Sequence, residues 1–196
     1  MRKLYNNYLV LIQIIRTSLF YKWRFKTIGK RVSFGSLNRI KGGKYIVIGN
    51  KCSFGNNLRL EAVSIWGGRK YEPLLVFGDG VAINQNFHCT CASSVVIGSG
   101  TSITANCGIF DIIHPYEDIH INPRAAMIKT KPVEIGKDCL IGMNSVILPG
   151  TKIGNHCVVG ANSTVFGVYP DNCVLAGSPA QIIKRYNSEQ KQWVKV

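Results

Sequence analysis

A six-residue repeat constrains the fold of this sequence more than any other feature. Counting by six from Ile135 to Val165 gives an aliphatic residue at every step, and Gly follows most of them. A period of six matches neither the alternation of a strand nor the 3.6-residue period of an amphipathic helix. Short fixed periods are typical of solenoids. The aliphatic positions are Ile135, Ile141, Ile147, Ile153, Val159 and Val165.

The repeat predicts a coil with three flat faces, in which each hexad supplies one short strand and one corner. The aliphatic residue points inward, and the residue four positions later is small, as at Cys139, Ser145 and Thr151. Gly or Asn at the corner tolerates unusual backbone angles. Successive coils stack at about 4.8 Å, the usual strand spacing. The predicted fold class is therefore all-β.

Shorter runs in the same phase extend the coil upstream, so we predict a β-helix over residues 28–177. The phase breaks between Ile40 and Ile48, between Leu60 and Phe77, and between Ile109 and Ile135. The last break predicts a loop at 110–132, and loops on a rigid scaffold often carry binding and catalytic groups. The upstream aliphatic and aromatic positions are Ile28, Phe34, Ile40, Ile48, Phe54, Leu60, Phe77, Ile83, Ile97, Ile103 and Ile109.

The two ends of the chain lie outside the repeat. Residues 1–27 are predicted to form a basic amphipathic helix, because an apolar run is followed by Arg16, Lys22 and Arg24. The apolar run is too short to span a membrane, and no signal-peptide cleavage site follows it. This helix caps the core, forms an oligomer contact or docks on a membrane surface. Residues 178–196 predict a helix or tail, with Ser178 as its cap.

Charge and cysteine usage limit the partners and the compartment. Lys and Arg number 24 against 10 Asp and Glu, a formal charge of +14, which favours anionic partners. No motif for reading nucleic acid accompanies the charge, so we expect no nucleic-acid partner. Four of the seven cysteines occupy the small inward position, where a free thiol packs as a small apolar group. We therefore expect neither disulfides nor a metal, and a cytoplasmic location.

Three segments resemble the hexapeptide-repeat acyltransferases, in particular the branch of maltose, galactoside and nodulation acetyltransferases. They are residues 132–142, residues 146–150 and the closing Val174–Ala180. The resemblance implies a left-handed parallel β-helix, a homotrimer with active sites between subunits, and acetyl-CoA as the acyl donor. The sequence departs from the branch pattern at Leu140, at Phe166-Gly167 and at Gln181.

Acyl transfer from a thioester to a hydroxyl needs a base, and His titrates near neutral pH. His114 occupies the His-Pro position of the family's catalytic histidine, so the resemblance implies that it is the general base. Asp111, Glu117, Asp118 or a backbone carbonyl is expected to orient its ring.

The resemblance also places substrate contacts. Asn84 and Asn86 resemble positions that contact the acceptor, and Trp66 lies in a segment expected to shape acceptor specificity. For acetyl-CoA, the expected contacts are Gly142, Met143, Ala161, Lys184 and Arg185.

These features predict an O-acetyltransferase that acts on a sugar hydroxyl in surface polysaccharide or glycan synthesis. N-acetylation of an amino sugar and acetylation of an antibiotic are close variants. A zinc enzyme of the γ-carbonic anhydrase kind needs three converging His ligands, and only His114 and His120 lie near each other in sequence. A non-catalytic scaffold is the remaining alternative.

Overall fold

Three parallel sheets, wound from one continuous coil, form most of the chain in the computed structural model, which describes residues 2–196 and the side chains of residues 8–196. Each turn of the coil adds one strand to each sheet, so strands that are neighbours in a sheet come from successive turns. The predicted all-β fold, a left-handed parallel β-helix with an N-terminal helical segment, is confirmed.

The strands are short and stack in three sheets. The first sheet contains Thr27–Ile28, Ile46–Ile48, Leu74–Phe77, Ser94–Ile97, Val133–Ile135, Lys152–Ile153 and Val168–Tyr169. The second contains Ser33–Phe34, Ser53–Phe54, Ala82–Ile83, Ser102–Ile103, Leu140–Ile141, Val158–Val159, Cys173–Gly177, Ala180–Asn187 and Gln192–Lys195. The third contains Arg39–Lys41, Arg59–Ala62, His88–Cys91, Gly108–Phe110, Val146–Ile147 and Thr164–Val165.

The core consists of columns of inward-facing side chains, one column to each sheet. In the second sheet, Phe54 pairs with Ile83, Ile83 with Ile103, and Ile103 with Ile141, which is the predicted phase. These side chains are buried, and each stabilises the fold by about 1.5–3 kcal/mol. All seven cysteines are buried and free, and Cys89 occupies a column position between Leu60 and Ile109.

Asparagines form a ladder along one corner of the coil. Asn57, Asn86, Asn106, Asn144 and Asn162 all have a φ between 55° and 61°, in the left-handed region that Asn tolerates. Each side-chain amide donates to the side-chain oxygen of the next Asn, at 2.8–3.0 Å. The ladder therefore satisfies these polar groups and holds successive turns in register.

The three predicted breaks of the repeat are a short helical turn and two hairpins. Gly43–Tyr45 forms a 3₁₀ turn before the second coil. Ile65–Trp66 pairs with Arg69–Lys70, and Ile112–Ile113 pairs with Lys129–Thr130. Both hairpins leave the coil next to the third sheet. The predicted loop at 110–132 is thus a hairpin stem that carries residues 114–128.

The N-terminal helix, Arg2–Phe20, covers the first edge of the second sheet and is followed by a 3₁₀ turn at Lys22–Arg24. The Arg16 guanidinium donates to the carbonyls of Phe34 and Gly35, each at 2.7 Å. The buried Thr17 hydroxyl accepts from Phe34 N at 3.2 Å and donates to Gln13 O at 2.7 Å. Because an open edge strand leaves backbone groups unpaired, these contacts close the coil at this end.

Of the predicted helix or tail at residues 178–196, the helix is wrong, because this segment forms strands. Gly177 lies at φ 107°, and the chain reverses so that Ala180–Asn187 pairs antiparallel with Cys173–Gly177. The Ser178 hydroxyl donates to Thr164 Oγ1 at 2.8 Å and caps no helix. The last strand of the coil has unpaired backbone groups, and pairing them outweighs the helical propensity of the tail. Among the described residues, no helix has the length and apolar character needed to cross a bilayer.

We expect Thr17→Val to destabilise the fold by about 1–3 kcal/mol, because it leaves the buried Phe34 N–H without an acceptor. Urea denaturation followed by circular dichroism measures the free energy of unfolding. The exposed neighbour Ser18→Ala is the matched control and should be nearly neutral. Equal stabilities of the two variants would contradict the capping role of Thr17.

Candidate functional site

A buried carboxylate anchors the 112–130 hairpin at its base. Asp111 accepts hydrogen bonds from Ala92 N at 2.8 Å and Ser93 N at 2.7 Å, and its carbonyl accepts from Lys131 N at 2.8 Å. Burial raises the pKa of Asp111, and the hydrogen bonds from Ala92 and Ser93 oppose that effect. Asp111 thus fixes the start and the end of the hairpin against the coil, and its carboxylate points to the backbone of residues 92–93.

The other two predicted carboxylates also have structural partners within the hairpin loop. Glu117 forms an ion pair with Lys129 at 2.9 Å, and Asp118 Oδ1 accepts from His120 N at 2.9 Å. Hydrogen bonding to Lys129 lowers the pKa of Glu117. Neither carboxylate is hydrogen-bonded to His114 in the structure.

The ring of His114 is held by a backbone carbonyl, which was one of the predicted possibilities. Its Nδ1 lies 3.3 Å from Pro123 O, and a carbonyl oxygen can only accept. Nδ1 therefore carries the proton, and in the neutral ring Nε2 keeps its lone pair. This tautomer has the form that a general base requires.

Trp66 connects the two hairpins beside His114. The ring centroids of Trp66 and His114 are 5.4 Å apart in an edge-on arrangement. Trp66 Nε1 donates to Ala126 O, and Tyr71 Oη donates to Ile128 O, both at 3.1 Å. The Ile65–Lys70 hairpin thus supports the loop that carries His114, although the two segments are far apart in sequence.

Two adjoining cavities meet at this point, with volumes of about 420 Å³ and about 770 Å³. The smaller one lies over the outer surface of the third sheet, and the larger one extends to Lys41 and Arg124. Volumes of this size hold small ligands. The residues that line both cavities are Arg59, Glu61, Val63, Trp66 and His114.

Glu61 and Arg59, which were not among the predicted site residues, form a charged floor in these cavities. Arg59 donates to Glu61 Oε2 at 2.7 Å, and Lys41 lies 3.4 Å from Oε1. Burial acts to raise the pKa of Glu61, but Arg59 and Lys41 outweigh it and hold the pKa below its ordinary value. The repeat phase contained a signal: Leu60 points inward, so both of its neighbours in the strand must point outward.

His88 lies on the same outer surface and lines the smaller cavity. Its Nε2 is 3.1 Å from Thr90 Oγ1, and its ring meets Phe110 edge-on with centroids 5.1 Å apart. Burial and then the charge of Arg59 lower the pKa of His88, against a smaller effect of Glu61. His88 is therefore neutral near pH 7, whereas Glu61 is charged.

The predicted acceptor contacts Asn84 and Asn86 lie at a corner of the coil, and neither lines the cavities beside His114. The side chain of Asn86 is a rung of the asparagine ladder and donates to Asn106. Asn84 is exposed, and its backbone N–H donates to Ile103 O. Of the three predicted acceptor residues, the structure brings only Trp66 next to His114.

The predicted acetyl-CoA contacts lie on the C-terminal turns. Gly142 and Met143 stack on Gly160 and Ala161 of the next turn, and a Cβ added at Gly142 would lie 2.5 Å from Ala161 N. Met143 and Ala161 are exposed side chains. Lys184 and Arg185 lie on the antiparallel strand that ends the second sheet, and both are also exposed. Together these residues provide a surface of small and apolar groups and two positive charges.

The part of the chain that the structure describes contains no group of three His, Cys, Asp or Glu side chains placed to hold a metal ion. His120 is exposed in the loop, and His156 lies at a coil corner near Trp193, with ring centroids 6.5 Å apart.

Comparison with known proteins gives both a family and close relatives. The sequence pattern described as bacterial transferase hexapeptide (six repeats) matches residues 132–167. The chain is 38% identical over 178 residues to WbbJ of Escherichia coli K12, named for lipopolysaccharide biosynthesis O-acetyl transfer, covering 84% of this chain and 87% of WbbJ. It is 30% identical over 130 residues to the galactoside O-acetyltransferase of E. coli K12, covering 62% of this chain and 63% of that enzyme, less than two thirds of its length.

Solved structures share the fold. AntD, an N-acyltransferase from Bacillus cereus in complex with dTDP and 3-hydroxybutyryl-CoA, superposes with a TM-score of 0.69 at 21% identity, covering 89% of this chain and 90% of AntD. VCA0836, a hexapeptide-repeat acetyltransferase from Vibrio cholerae, gives a TM-score of 0.62 at 22% identity, covering 89% and 82% of the two chains.

We expect Arg59→Gln to raise the pKa of His88, because the variant removes a nearby positive charge and leaves Glu61 less neutralised. A titration of the histidine ring resonances by NMR measures this shift. Lys129→Gln, which removes a cation paired with Glu117 in the loop, is the matched control and should leave the His88 titration unchanged. A His88 pKa that stays constant or falls in Arg59→Gln would contradict this electrostatic assignment.

Proposed function

This chain belongs to the hexapeptide-repeat transferase family, and we propose that it is an acetyltransferase that moves the acetyl group of acetyl-CoA to a hydroxyl of a sugar. The relatives named for O-acetyl transfer, WbbJ and the galactoside enzyme, support a hydroxyl acceptor. The extent of the match to WbbJ supports a role in the synthesis of a surface polysaccharide.

The observation that carries the proposal is the setting of His114. Its Nδ1–H faces the Pro123 carbonyl, its ring lies against Trp66, and two cavities of ligand size open onto it. We assign His114 as the general base and the Pro123 carbonyl as the group that orients it.

In this mechanism, Nε2 of His114 removes the proton of the sugar hydroxyl as the oxygen attacks the thioester carbonyl carbon. The tetrahedral intermediate then collapses, the C–S bond breaks, and the proton on Nε2 passes to the leaving thiolate. Holding the two substrates together lowers the barrier by several kcal/mol, and no covalent enzyme intermediate is needed. The Gly142 N–H donates to Val159 O within the coil, so the adjacent N–H of Met143 is our candidate donor to the oxyanion.

The donor site belongs to the same proposal. The pantetheine chain would lie along the small and apolar surface of Met143 and Ala161, and the phosphates would meet Lys184 and Arg185. We further propose a homotrimer with its active sites between subunits, so that Asn84 can approach an acceptor bound to a neighbouring copy. Seven buried thiols support a location in the reducing cytoplasm.

The role of His114 is tested by His114→Ala, assayed by thiol release from acetyl-CoA with a panel of sugars. We expect kcat/KM to fall by about 10²–10⁴, the usual contribution of a general base. His120→Ala changes a histidine of the same loop and should keep full activity. If His114→Ala is as active as His120→Ala, the mechanism is wrong, and the melting temperatures of both variants separate this outcome from misfolding.

The choice of a hydroxyl acceptor is tested on the purified product. An acetyl ester is released by mild alkali, whereas an acetamide is stable under the same conditions. We expect mass spectrometry to show a gain of one acetyl group that mild alkali removes. An alkali-stable acetyl group would instead establish an N-acetyltransferase on the same fold.

A further inference from the structure

The N-terminal helix turns polar side chains toward the coil and exposes apolar side chains, which is the reverse of an ordinary amphipathic surface helix. Its polar residues Arg16 and Thr17 face the coil, while the side chains of Leu19 and Phe20 are 62% and 69% exposed. Surface helices of globular proteins normally bury their apolar side. The exposed apolar residues of this segment are Tyr8, Leu9, Val10, Leu11, Ile12, Ile15, Leu19, Phe20 and, in the 3₁₀ turn that follows, Trp23.

Four of these residues form a stripe along one side of the helix, and Leu9, Val10 and Leu11 make its exposed surface apolar on the other sides as well. Tyr8, Ile12, Ile15 and Leu19 follow one another at helical spacings of three or four, so they lie on one side of the helix. Phe20 at the end of the helix and Trp23 in the 3₁₀ turn that follows add to this exposed apolar surface, and Trp23 is 88% exposed. Contiguous exposed apolar surface of this kind marks a site of interaction, and we call it the outer stripe.

The charge of the molecule is concentrated at the same end. Residues 1–60 contain thirteen Lys and Arg and no Asp or Glu, whereas residues 61–196 contain eleven Lys and Arg and ten Asp and Glu. The first third of the chain thus carries +13 of the formal +14. A partner that covers the outer stripe therefore meets a strongly positive surface around it.

A basic cleft adjoins the helix. A cavity of about 480 Å³ separates the helix from the first turn of the coil, and Lys22, Lys30 and Arg31 line it. Its apolar lining includes Ile14 and Ile28, and none of the described residues that line it is acidic. Three cations around a partly apolar cleft are suited to a phosphate group that is attached to an apolar chain.

We propose that this end of the molecule docks on the surface of an anionic lipid bilayer. The outer stripe would lie in the plane of the interface with its apolar side chains at the boundary of headgroups and acyl chains, and Trp23 would lie at headgroup depth. The basic cleft takes a lipid phosphate. Charge complementarity favours this occupant over a second copy of the chain, whose matching surface is equally positive.

The proposal is tested by sedimentation of the full-length protein with vesicles. We expect it to pellet with vesicles of phosphatidylcholine and phosphatidylglycerol in equal parts, and far less with phosphatidylcholine alone. Phe20→Ser/Trp23→Ser removes apolar anchors, and Lys30→Glu/Arg31→Glu reverses two charges. We expect each pair to weaken binding about tenfold or more, because a single basic residue near the membrane contributes about fivefold.

Matched controls lie at the opposite end of the coil. Phe166→Ser/Val168→Ser removes exposed apolar side chains, and Lys191→Glu/Lys195→Glu makes the same change of net charge. Both should bind vesicles as the wild type does. Equal binding to neutral and anionic vesicles would overturn the proposal, as would losses as large in the controls. So would a Phe20→Ser/Trp23→Ser variant that still binds vesicles but has a smaller oligomer mass by light scattering, because the outer stripe would then be a subunit interface.

Discussion

The stacking of one turn of the coil on the next is the interaction on which the rest of this structure depends. Strands of two or three residues are too short to be stable alone, and each gains its hydrogen bonds only from the turns before and after it. The inward columns, the asparagine ladder and the close approach of corner glycines all repeat with that stacking. The turns at the two ends each lack a neighbour on one side. Arg16 and Thr17 close one of these open edges, and an antiparallel hairpin covers the other.

The candidate site forms where the stacking is interrupted. The third sheet supplies a rigid surface with Arg59, Glu61 and His88, and the two hairpins rise beside it to bring Trp66 and His114 together. Asp111 ties the base of one hairpin to the coil through two backbone N–H groups. The site therefore combines side chains from rigid strands, which fix its floor, with side chains from loops, which determine its shape.

The sequence predicts what depends on local periodicity and misses what depends on tertiary partners. The register of Phe54, Ile83, Ile103 and Ile141 follows directly from counting by six. His114 was marked by its place in the last break of the repeat, although its carbonyl partner lies across the loop. The role of Asn86 could not be predicted from the sequence, because a corner asparagine has the same local sequence pattern whether it binds a ligand or the neighbouring asparagines. The C-terminal strands were missed because their pairing depends on an exposed edge that no local pattern reveals.

The close approach of the corners determines how a chain of this kind can change in length. A Cβ added at Gly98 would lie 2.5 Å from the carbonyl of Gly136 in the next turn, so the backbones at the corners are almost in contact. An inserted residue within a turn would move every later column off its partners. Shifts of phase accordingly occur where the chain passes from the third sheet to the first, namely between Ile40 and Ile48, Leu60 and Phe77, Cys89 and Ile97, Ile109 and Ile135, and Val165 and Tyr169. Gene duplication can therefore lengthen the coil only by whole turns of three hexads. New substrate specificity arises from the hairpins, whose sequences can diverge without disturbing the stacking of the turns.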